Sequence, residues 1–388
     1  QLPTFLSYFF VLPVAALLGL VFIHGQCRAI ARNTFLEAIR QPIFVVLILV
    51  GSLLIILAPF VASYSMEPGS GDNRMLVDLD LSNLFILGMI LAAFTATGVV
   101  ASEMESRTAL TIVSKPVPRP FFILGKFAGV CGAIAIALYI LLIVVLFTIR
   151  HKVLQNASDH LDGPVILFGL GGALAALLLA AAANYLYKRV FTSNFTLLLA
   201  GLLTLAFLLI MVTAPDWTFQ SPLHDWQDHE SQMLQITIGT LLIAQGVFII
   251  TALAVACSTR MSQVMTLMTC LIVLLLGLTA GRISHEVNAA LGITDTSSAF
   301  QSISIIADSD ETGVRKALFI MGKMLYLAAP NFQFHSPSEA ISKGSSLIHD
   351  TEGNVSFTYL ASVTTYTTCY TAALLALGIA LFQKREVS

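Results

Sequence analysis

The residues with the most obvious capacity for chemistry form one short polar run. Residues 224–230 read HDWQDHE and place two histidines among three carboxylates. Imidazole and carboxylate groups both bind divalent metal ions. Their spacing matches no standard metal site, which favours a solvated acidic loop over a metal centre. A second pair, His285-Glu286, lacks the further histidine that a metalloprotease HExxH helix requires.

Other patterns of enzyme chemistry are missing from the sequence. No GxxxxGK[ST] phosphate loop occurs, and the run Gly69-Ser70-Gly71 indicates a simple turn. The five cysteines include no CxxC pair and lie in or beside apolar segments, which favours neither a metal site nor a disulfide framework. The apolar segments contain no group of a nucleophile, a general base and a third residue that could form an intramembrane catalytic site. We therefore expect no catalytic residue, metal or cofactor in this chain.

A few polar side chains interrupt the apolar segments. Gln245 is the main example, and a hydrogen bond between helices is the favoured interpretation. The last apolar segment carries four candidates for the lining of a transport pathway: Thr364, Thr368, Tyr366 and Tyr370. An interfacial aromatic belt together with helix packing is the alternative. No Asp, Glu, Lys or Arg lies deep in an expected span, which argues against a proton- or ion-coupled carrier.

The composition indicates the class of protein in which these residues lie. Apolar residues make up 57% of the 388, charged residues only 11%, and the mean hydropathy is +0.86. Soluble domains carry about 25% charged residues. A membrane span needs about 20 mostly apolar residues. Nine segments qualify: 5–23, 42–62, 83–101, 121–149, 164–186, 193–213, 233–256, 262–281 and 359–382. The chain is therefore expected to be an all-α polytopic membrane protein.

Basic residues predict the orientation of these spans. One side of the membrane would hold 12 of the 20 basic residues but only 4 of the 22 acidic ones. This count places Lys126, by snorkelling, on the same side as the loops 24–41, 102–120, 187–192, 257–261 and 383–388. Cytoplasmic loops are enriched in Lys and Arg. We expect this side to be cytoplasmic, so that the N-terminus lies outside and the C-terminus inside.

Two segments outside the spans have their own expected structure. Residues 26–41 predict an amphipathic "elbow" helix at the cytoplasmic interface, with Arg28, Arg32 and Arg40 on its basic side. A plain topology anchor is the alternative role. Residues 282–358 predict a small external cap, with a helix at 311–329 and a short hairpin near 346–358.

The most informative stretch is the loop at 102–126, SEMESRTALTIVSKPVPRPFFILGK. Ser102 could cap a short helix that starts with Glu103 and Glu105, since acidic residues favour a helix N-terminus. Three prolines at 116, 118 and 120 then prevent its continuation. The pattern predicts a short helix along the membrane surface that is hinged rigidly to the next span. An ordinary solvated loop is the alternative.

This stretch resembles the ABC-2-type ABC transporter permease family. The family pattern is a Glu at the end of the second span, then a Thr, a Pro-Val-x-Arg run, an apolar run and Gly-Lys. The matching positions here are Glu103, Thr108, Val113, Ser114, Pro116, Val117, Arg119, Gly125 and Lys126. Many members have Gly where this chain has Arg107. Weaker similarity extends to the turn at 258–262 and to residues 325–334.

The resemblance implies a six-span core similar to type V exporters, with three extra spans and the external cap. Its domains would be an extra span at 1–25, the elbow at 26–41, core spans 1–3 at 42–149, an extra span pair at 150–232, core spans 4–5 at 233–281, the cap at 282–358, and core span 6 with a tail at 359–388. The loop at 102–120 would couple to a separate ATPase subunit that carries ATP and Mg. The implied coupling residues are Glu103, Glu105, Arg107, Thr108, Lys115, Pro116 and Arg119.

The resemblance also implies partners and a location. A second permease copy or a paralogue would complete the transporter in a bacterial inner membrane, and no nucleic acid is expected. ATP-driven export through this chain is the leading hypothesis. The alternative is a membrane scaffold or assembly component of an envelope machine that uses an ABC-type motor without exporting a small molecule.

Overall fold

In a computed structural model the described part of the chain is helical almost throughout. The structure describes residues 25–63, 70–105, 118–153, 161–222, 233–291, 313–336 and 357–383. Several sequence predictions lie outside these residues: the first span 5–23, the central coupling residues 106–117, the acidic run 224–230, most of the hairpin near 346–358, and the C-terminal tail.

Ten α-helices and one short 3-10 helix are present in the described residues. They are α1 (Gly25–Arg40), α2 (Pro42–Ala62), α3 (Ser70–Glu105), α4 (Arg119–His151), α5 (Gly163–Tyr187), α6 (Phe191–Val212), α7 (Met233–Ser258), α8 (Gln263–Leu291), α9 (Gly313–Ala328), the 3-10 helix Phe332–His335, and α10 (Phe357–Gln383).

Eight of these helices are long and apolar enough to cross a bilayer. They are α2 to α8 and α10, and they coincide with the eight predicted spans that fall within the described residues. Many of their apolar side chains point outward, for example Leu178 at 67% and Leu275 at 63% exposure. Large apolar surfaces of this kind require lipid or protein around them. The expectation of an all-α integral membrane protein is confirmed.

The helices α4 and α7 form the centre of the bundle. Helix α4 contacts α1, α2, α3, α5, α6, α7 and α10, and α7 packs against α3, α4, α8 and α10. The pair α5–α6 packs mainly on itself, and it reaches the rest chiefly through contacts of α6 with α4, α1 and α2. Arg150 ties this pair to α4, because its guanidinium pairs with Asp162 at 3.3 Å and donates to the carbonyl oxygens of Ile210 and Thr213 at 2.7 Å each.

One end of the bundle, called here the basic end, gathers α1 and the first turns of α4. The Thr192 hydroxyl at the start of α6 donates to the Arg40 carbonyl oxygen at 2.9 Å. Arg260, in the turn between α7 and α8, donates to the Leu381 carbonyl oxygen near the end of α10. The predicted cytoplasmic loops that the structure describes therefore meet at this end, opposite the end of the bundle at which α2 and α4 finish. Which side of the membrane it faces remains a prediction.

The structure corrects two expectations about charge within the spans. The apolar part of α3 begins at Asn73 rather than at residue 83, so it includes Asp80, which is fully buried. Thr148 of α4 donates to Asp80 Oδ2 at 2.7 Å. Lys126 does not snorkel to the surface: it is 2% exposed, and its Nζ lies 3.7 Å from Glu37 Oε2. Both ionisable side chains are therefore buried within spans, but each lies about 11–14 Å along its helix from the middle of that helix.

The structure also changes the expected start of the short surface helix predicted from Ser102 onward. Helix α3 continues through Ser102 to Glu105. Ser102 is therefore inside a helix rather than at the start of a new one. Glu103 and Glu105 belong to the final turn of this long span, because nothing interrupts the backbone hydrogen bonds of α3 before residue 105.

The helix predicted at 311–329 is present as α9, and only part of its apolar surface is covered: Phe319 and Ile320 pack against Val287 of α8. Leu318 and Met321 are 54% and 62% exposed, whereas Lys323 is buried. Lys323 donates to Ser284 Oγ at 2.8 Å and to Asn288 Oδ1 at 2.6 Å. These polar contacts hold α9 against the last turns of α8.

Candidate functional site: a polar cluster at mid-membrane depth

Close contacts between helices define a common level near the middle of the bundle. Gly51, at the middle of α2, faces Leu87 of α3 and Leu141 of α4. In the same way Gly88 of α3 faces Val247 of α7. Since each of these helices crosses the membrane, the level they share is the middle of the apolar layer.

The chain that follows α9 returns to this level. A side-chain carbon at Gly246, the middle of α7, would lie 2.8 Å from His335 Cβ. A side-chain carbon at Gly277, the middle of α8, would collide with the Pro330 carbonyl oxygen and would lie 2.5 Å from the Phe332 ring. The 3-10 helix thus lies between α7 and α8 at mid-depth. Residues 329–336 are part of the membrane domain rather than of an external cap.

Helices with side chains at these two positions could not admit the segment. Both glycines lie in the middle of long helices, where glycine costs about 1 kcal/mol relative to alanine. This cost is offset by the close approach of another backbone. The glycines therefore explain how a short irregular segment fits between two membrane helices.

Side chains of α10 satisfy the backbone and polar groups of this segment. The Asn331 N–H donates to the Tyr366 hydroxyl at 2.8 Å, and the Gln333 N–H donates to Asn331 Oδ1 at 3.0 Å. His335 Nε2 lies 2.8 Å from Thr367 Oγ1. Thr367 donates its own proton to the Val363 carbonyl oxygen at 2.9 Å, so we assign the His335 Nε2–H as the donor. Such partners are needed because lipid offers none.

A row of rings continues from the 3-10 helix onto α10. The Phe334 and Tyr366 rings meet edge to face with centroids 5.8 Å apart, and the Tyr366 and Tyr370 centroids are 5.9 Å apart. Phe334 is 39% exposed, both tyrosines are partly exposed, and Gln333 beside them is exposed. A surface with aromatic faces and polar tips therefore lies at mid-depth.

The four predicted pathway residues divide between two environments. Tyr366 and Tyr370 belong to this row of rings. Thr364 accepts a hydrogen bond from Gln245 Nε2 at 3.1 Å, as expected for a contact between helices, and Thr368 donates to the Thr364 carbonyl oxygen of its own helix. The threonines thus pack α10 and the tyrosines form the candidate surface.

A second candidate region is the seat of α1 at the basic end. The basic side chains Arg28, Arg32 and Arg40 are exposed, as the amphipathic pattern predicts. The opposite side of α1 lies directly on α4, because side-chain carbons at Gly125 and Gly129 would lie 2.9 Å from Ile30 and 2.5 Å from the Ala31 carbonyl oxygen.

Only part of the predicted coupling set is described. Glu103 and Glu105 end α3, and Arg119 begins α4. Arg107, Thr108, Lys115 and Pro116 lie outside the described residues. The apolar run that follows is described: the rings of Phe122 and Phe382 stack at 5.6 Å, which joins the start of α4 to the end of α10.

Sequence reasoning missed the importance of His335, Asn331 and Gln333. They lie in the polar stretch between two clear spans, which hydropathy assigns to the outside. The signals that were present are Pro330-Asn331 after an amphipathic helix and a glycine at the middle of both α7 and α8. Neither signal identifies its partner, because the two sides of the contact are far apart in the chain.

Comparisons with known proteins add no relative. The chain matches no family model, and no curated protein or solved structure is significantly similar to it. The expected relation to ABC-2 permeases therefore stays a prediction from the residues of the chain itself, chiefly 103–126.

Proposed function

We propose that this chain is the membrane-spanning permease subunit of an ATP-driven ABC-2-type transporter, working as an exporter. ATP and Mg would bind a separate ATPase subunit, and a second permease copy or a paralogue would complete the assembly. In this proposal the basic end faces the cytoplasm of a bacterial cell.

The observation that carries the proposal is the position of the first turns of α4. They contain the end of the motif and touch two further elements, α1 through Gly125 and Gly129 and α10 through the stacked rings of Phe122 and Phe382. Lys126 of the same turns pairs with Glu37. A force applied at residues 106–117 would therefore reach α1, α4 and α10 together.

The long helices on both sides of the motif support the same function. Helix α3 has 36 residues and α4 has 33, and the two pack against each other. At about 1.5 Å per residue each is about 50 Å long. Two rigid helices of this length can carry a displacement from the basic end to the level of the polar cluster.

The mid-depth cluster favours transport over a purely structural scaffold. Polar side chains and non-helical backbone within the apolar layer cost free energy. Transporters accept this cost because interrupted helices at the bilayer midplane contact substrates or ions. A scaffold could bury the same helices without it.

The proposal is tested by purifying the tagged chain in mild detergent and identifying the proteins that copurify. We expect a stoichiometric ATPase subunit whose hydrolysis is stimulated by the permease. The variant Glu103→Lys should insert normally and reduce this stimulation by about tenfold or more, equivalent to about 1.4 kcal/mol of coupling. Asp216→Lys is the matched control, because it makes the same change of charge at an exposed position away from the basic end.

Two results would count against the proposal. Full stimulation by the Glu103→Lys variant would exclude Glu103 from the coupling contact. A chain that purifies without any ATPase in several detergents would favour the scaffold or another ATP-independent role. Uptake of a small molecule by vesicles that contain the permease and its ATPase would in turn exclude a role limited to assembly.

A further inference from the structure

The surface formed by the 3-10 helix and α10 has a composition that lipid does not favour. We define it by four residues: Gln333, Phe334, Tyr366 and Tyr370. Gln333 is exposed, and its side chain lies over Gly281, four residues beyond the middle of α8. Four helical residues span about 6 Å, so this amide lies well inside an apolar half-layer of about 15 Å.

A glutamine that is exposed at this depth requires a polar environment for its amide. Moving an amide from water to hydrocarbon without partners costs several kcal/mol. Non-helical backbone within the membrane occurs where protein buries it or where it lines a water-filled cavity. The buried side of the 3-10 helix meets the first condition through Phe332 and His335, which are both fully buried. The exposed side, with Gln333 and Phe334, fits the second.

The chemistry of the surface indicates what it would bind. The four side chains that define it are uncharged. Two cations lie near it along α8. Arg282 is turned about 100° around the helix from Gly281. The Lys323 ammonium is bound by Ser284 and Asn288, one turn or more beyond Gly281. Aromatic faces bind flat apolar groups by offset or edge contacts. The Gln333 amide can donate and accept hydrogen bonds. A flat, uncharged, amphipathic organic molecule matches all three properties.

We propose that this surface lines a water-filled passage at mid-depth and binds the flat, uncharged part of an amphipathic organic solute. The surface would be the substrate-contacting wall of the permease, so the ligand class depends on the proposed function. Its contact with water does not, and it can be measured without any ATPase.

Water access is tested with single cysteines in a background whose five native cysteines are replaced by alanine. The protein is placed in lipid nanodiscs and treated with methanethiosulfonate ethyltrimethylammonium, a permanently charged thiol reagent. We expect Gln333→Cys and Phe334→Cys to react within about tenfold of the rate of Trp217→Cys, an exposed position outside the helices. The matched control Leu178→Cys, exposed near the middle of α5, should react only with the uncharged N-ethylmaleimide.

Ligand class is tested with a matched pair of probes, coumarin-3-carboxamide and coumarin-3-carboxylate. They share one flat ring system and differ in charge. We expect the carboxamide to bind the purified chain at least about tenfold more tightly, because the four side chains of the surface carry no positive charge and the nearby Lys323 ammonium is already bound by Ser284 and Asn288. Phe334→Ala and Tyr370→Ala should each weaken carboxamide binding by about three- to tenfold, the range of one aromatic contact.

Each result decides a separate point. Charged-reagent rates at Gln333→Cys and Phe334→Cys as low as at Leu178→Cys would overturn the water-lined passage, as would disulfide formation between two copies through Gln333→Cys. Equal binding of the two coumarins, or no effect of either alanine variant, would overturn the ligand class. If the thiols react as expected but no ATPase copurifies, the passage stands and the ABC-type proposal fails.

Discussion

Two regions of this protein admit an extra segment against the membrane helices, and they do so by different means. At the basic end, α1 lies on α4 through Gly125 and Gly129. At mid-depth, the 3-10 helix lies between α7 and α8 through Gly246 and Gly277. Both contacts use glycine to bring backbones close together.

The difference lies in the backbone of the inserted segment. Helix α1 satisfies most of its own N–H and C=O groups. Its contact with α4 therefore requires little more than close packing and one ion pair, Glu37 with Lys126. The mid-depth segment is irregular, so side chains such as Tyr366 and Asn331 must complete its hydrogen bonds. A regular helix therefore requires only a surface of complementary shape. An irregular segment requires such a surface and also hydrogen-bond partners for its backbone.

The largest effects should come from adding a methyl group at these glycines. Gly277→Ala would push a carbon into the Pro330 backbone, and Gly129→Ala would place one 2.5 Å from the Ala31 carbonyl oxygen. Each should lower the free energy of unfolding by about 3 kcal/mol, the upper part of the range for overpacking. We expect the greater loss at Gly277, because α1 can shift outward whereas the added carbon at Gly277 meets the Pro330 backbone and the fully buried Phe332 ring.

These variants are measured by unfolding in mixed micelles with increasing SDS. Gly171→Ala is the control, because no atom lies within 4 Å of its added carbon and alanine favours a helix by up to about 1 kcal/mol. Equal stability of Gly277→Ala and the unmodified protein would show that the 3-10 helix does not lie between α7 and α8.

A smaller effect should follow from removing the charge on Glu37. Glu37→Gln leaves the buried Lys126 without its carboxylate, whereas Lys126→Met leaves a partly exposed Glu37 that water can solvate. Loss of one partner of a buried pair costs up to about 5 kcal/mol, and the partial exposure of Glu37 reduces our expectation to about 2 kcal/mol. Lys126→Met should cost less than Glu37→Gln in the same unfolding measurement, and the reverse order would mean that Lys126 is stabilised chiefly by other groups.

The smallest effect should come from one hydroxyl group at mid-depth. Tyr366→Phe keeps the ring but removes the acceptor for the Asn331 N–H, which should cost about 1–2 kcal/mol. Tyr359→Phe is the matched control on the same helix, since its hydroxyl donates to the Phe334 carbonyl oxygen in a more exposed setting. If both variants lose the same stability, the distinction between a buried and an exposed partner fails.

Most of the fold could be predicted from the sequence, because each helix is determined by residues that are close together in the chain. Each span is a continuous apolar run, and a helix is the only single segment that satisfies its own backbone in lipid. The basic and apolar sides of α1 follow from helical periodicity within 16 residues. The end of α3 was predicted too early because Ser102 and Glu103 match the start of a helix as well as the interior of one.

The candidate site was predicted only in part. Tyr366 and Tyr370 were recognisable because a tyrosine within a span is unusual. His335 and Gln333 were not, because a polar stretch between two spans is equally consistent with a loop in water. Asp80 was also missed, since the apolar run appeared to begin after it.

The sequence by itself determined that this chain crosses a membrane, where eight of its helices lie, and which ends of the helices carry basic charge. Only the tertiary structure decided that Lys126 is buried against Glu37, that Asp80 is enclosed, and that residues 329–336 lie at mid-depth. The first group depends on residues that are neighbours along the chain. The second depends on contacts such as Gly277 with Pro330, for which a single sequence carries no signal until the backbones are brought together.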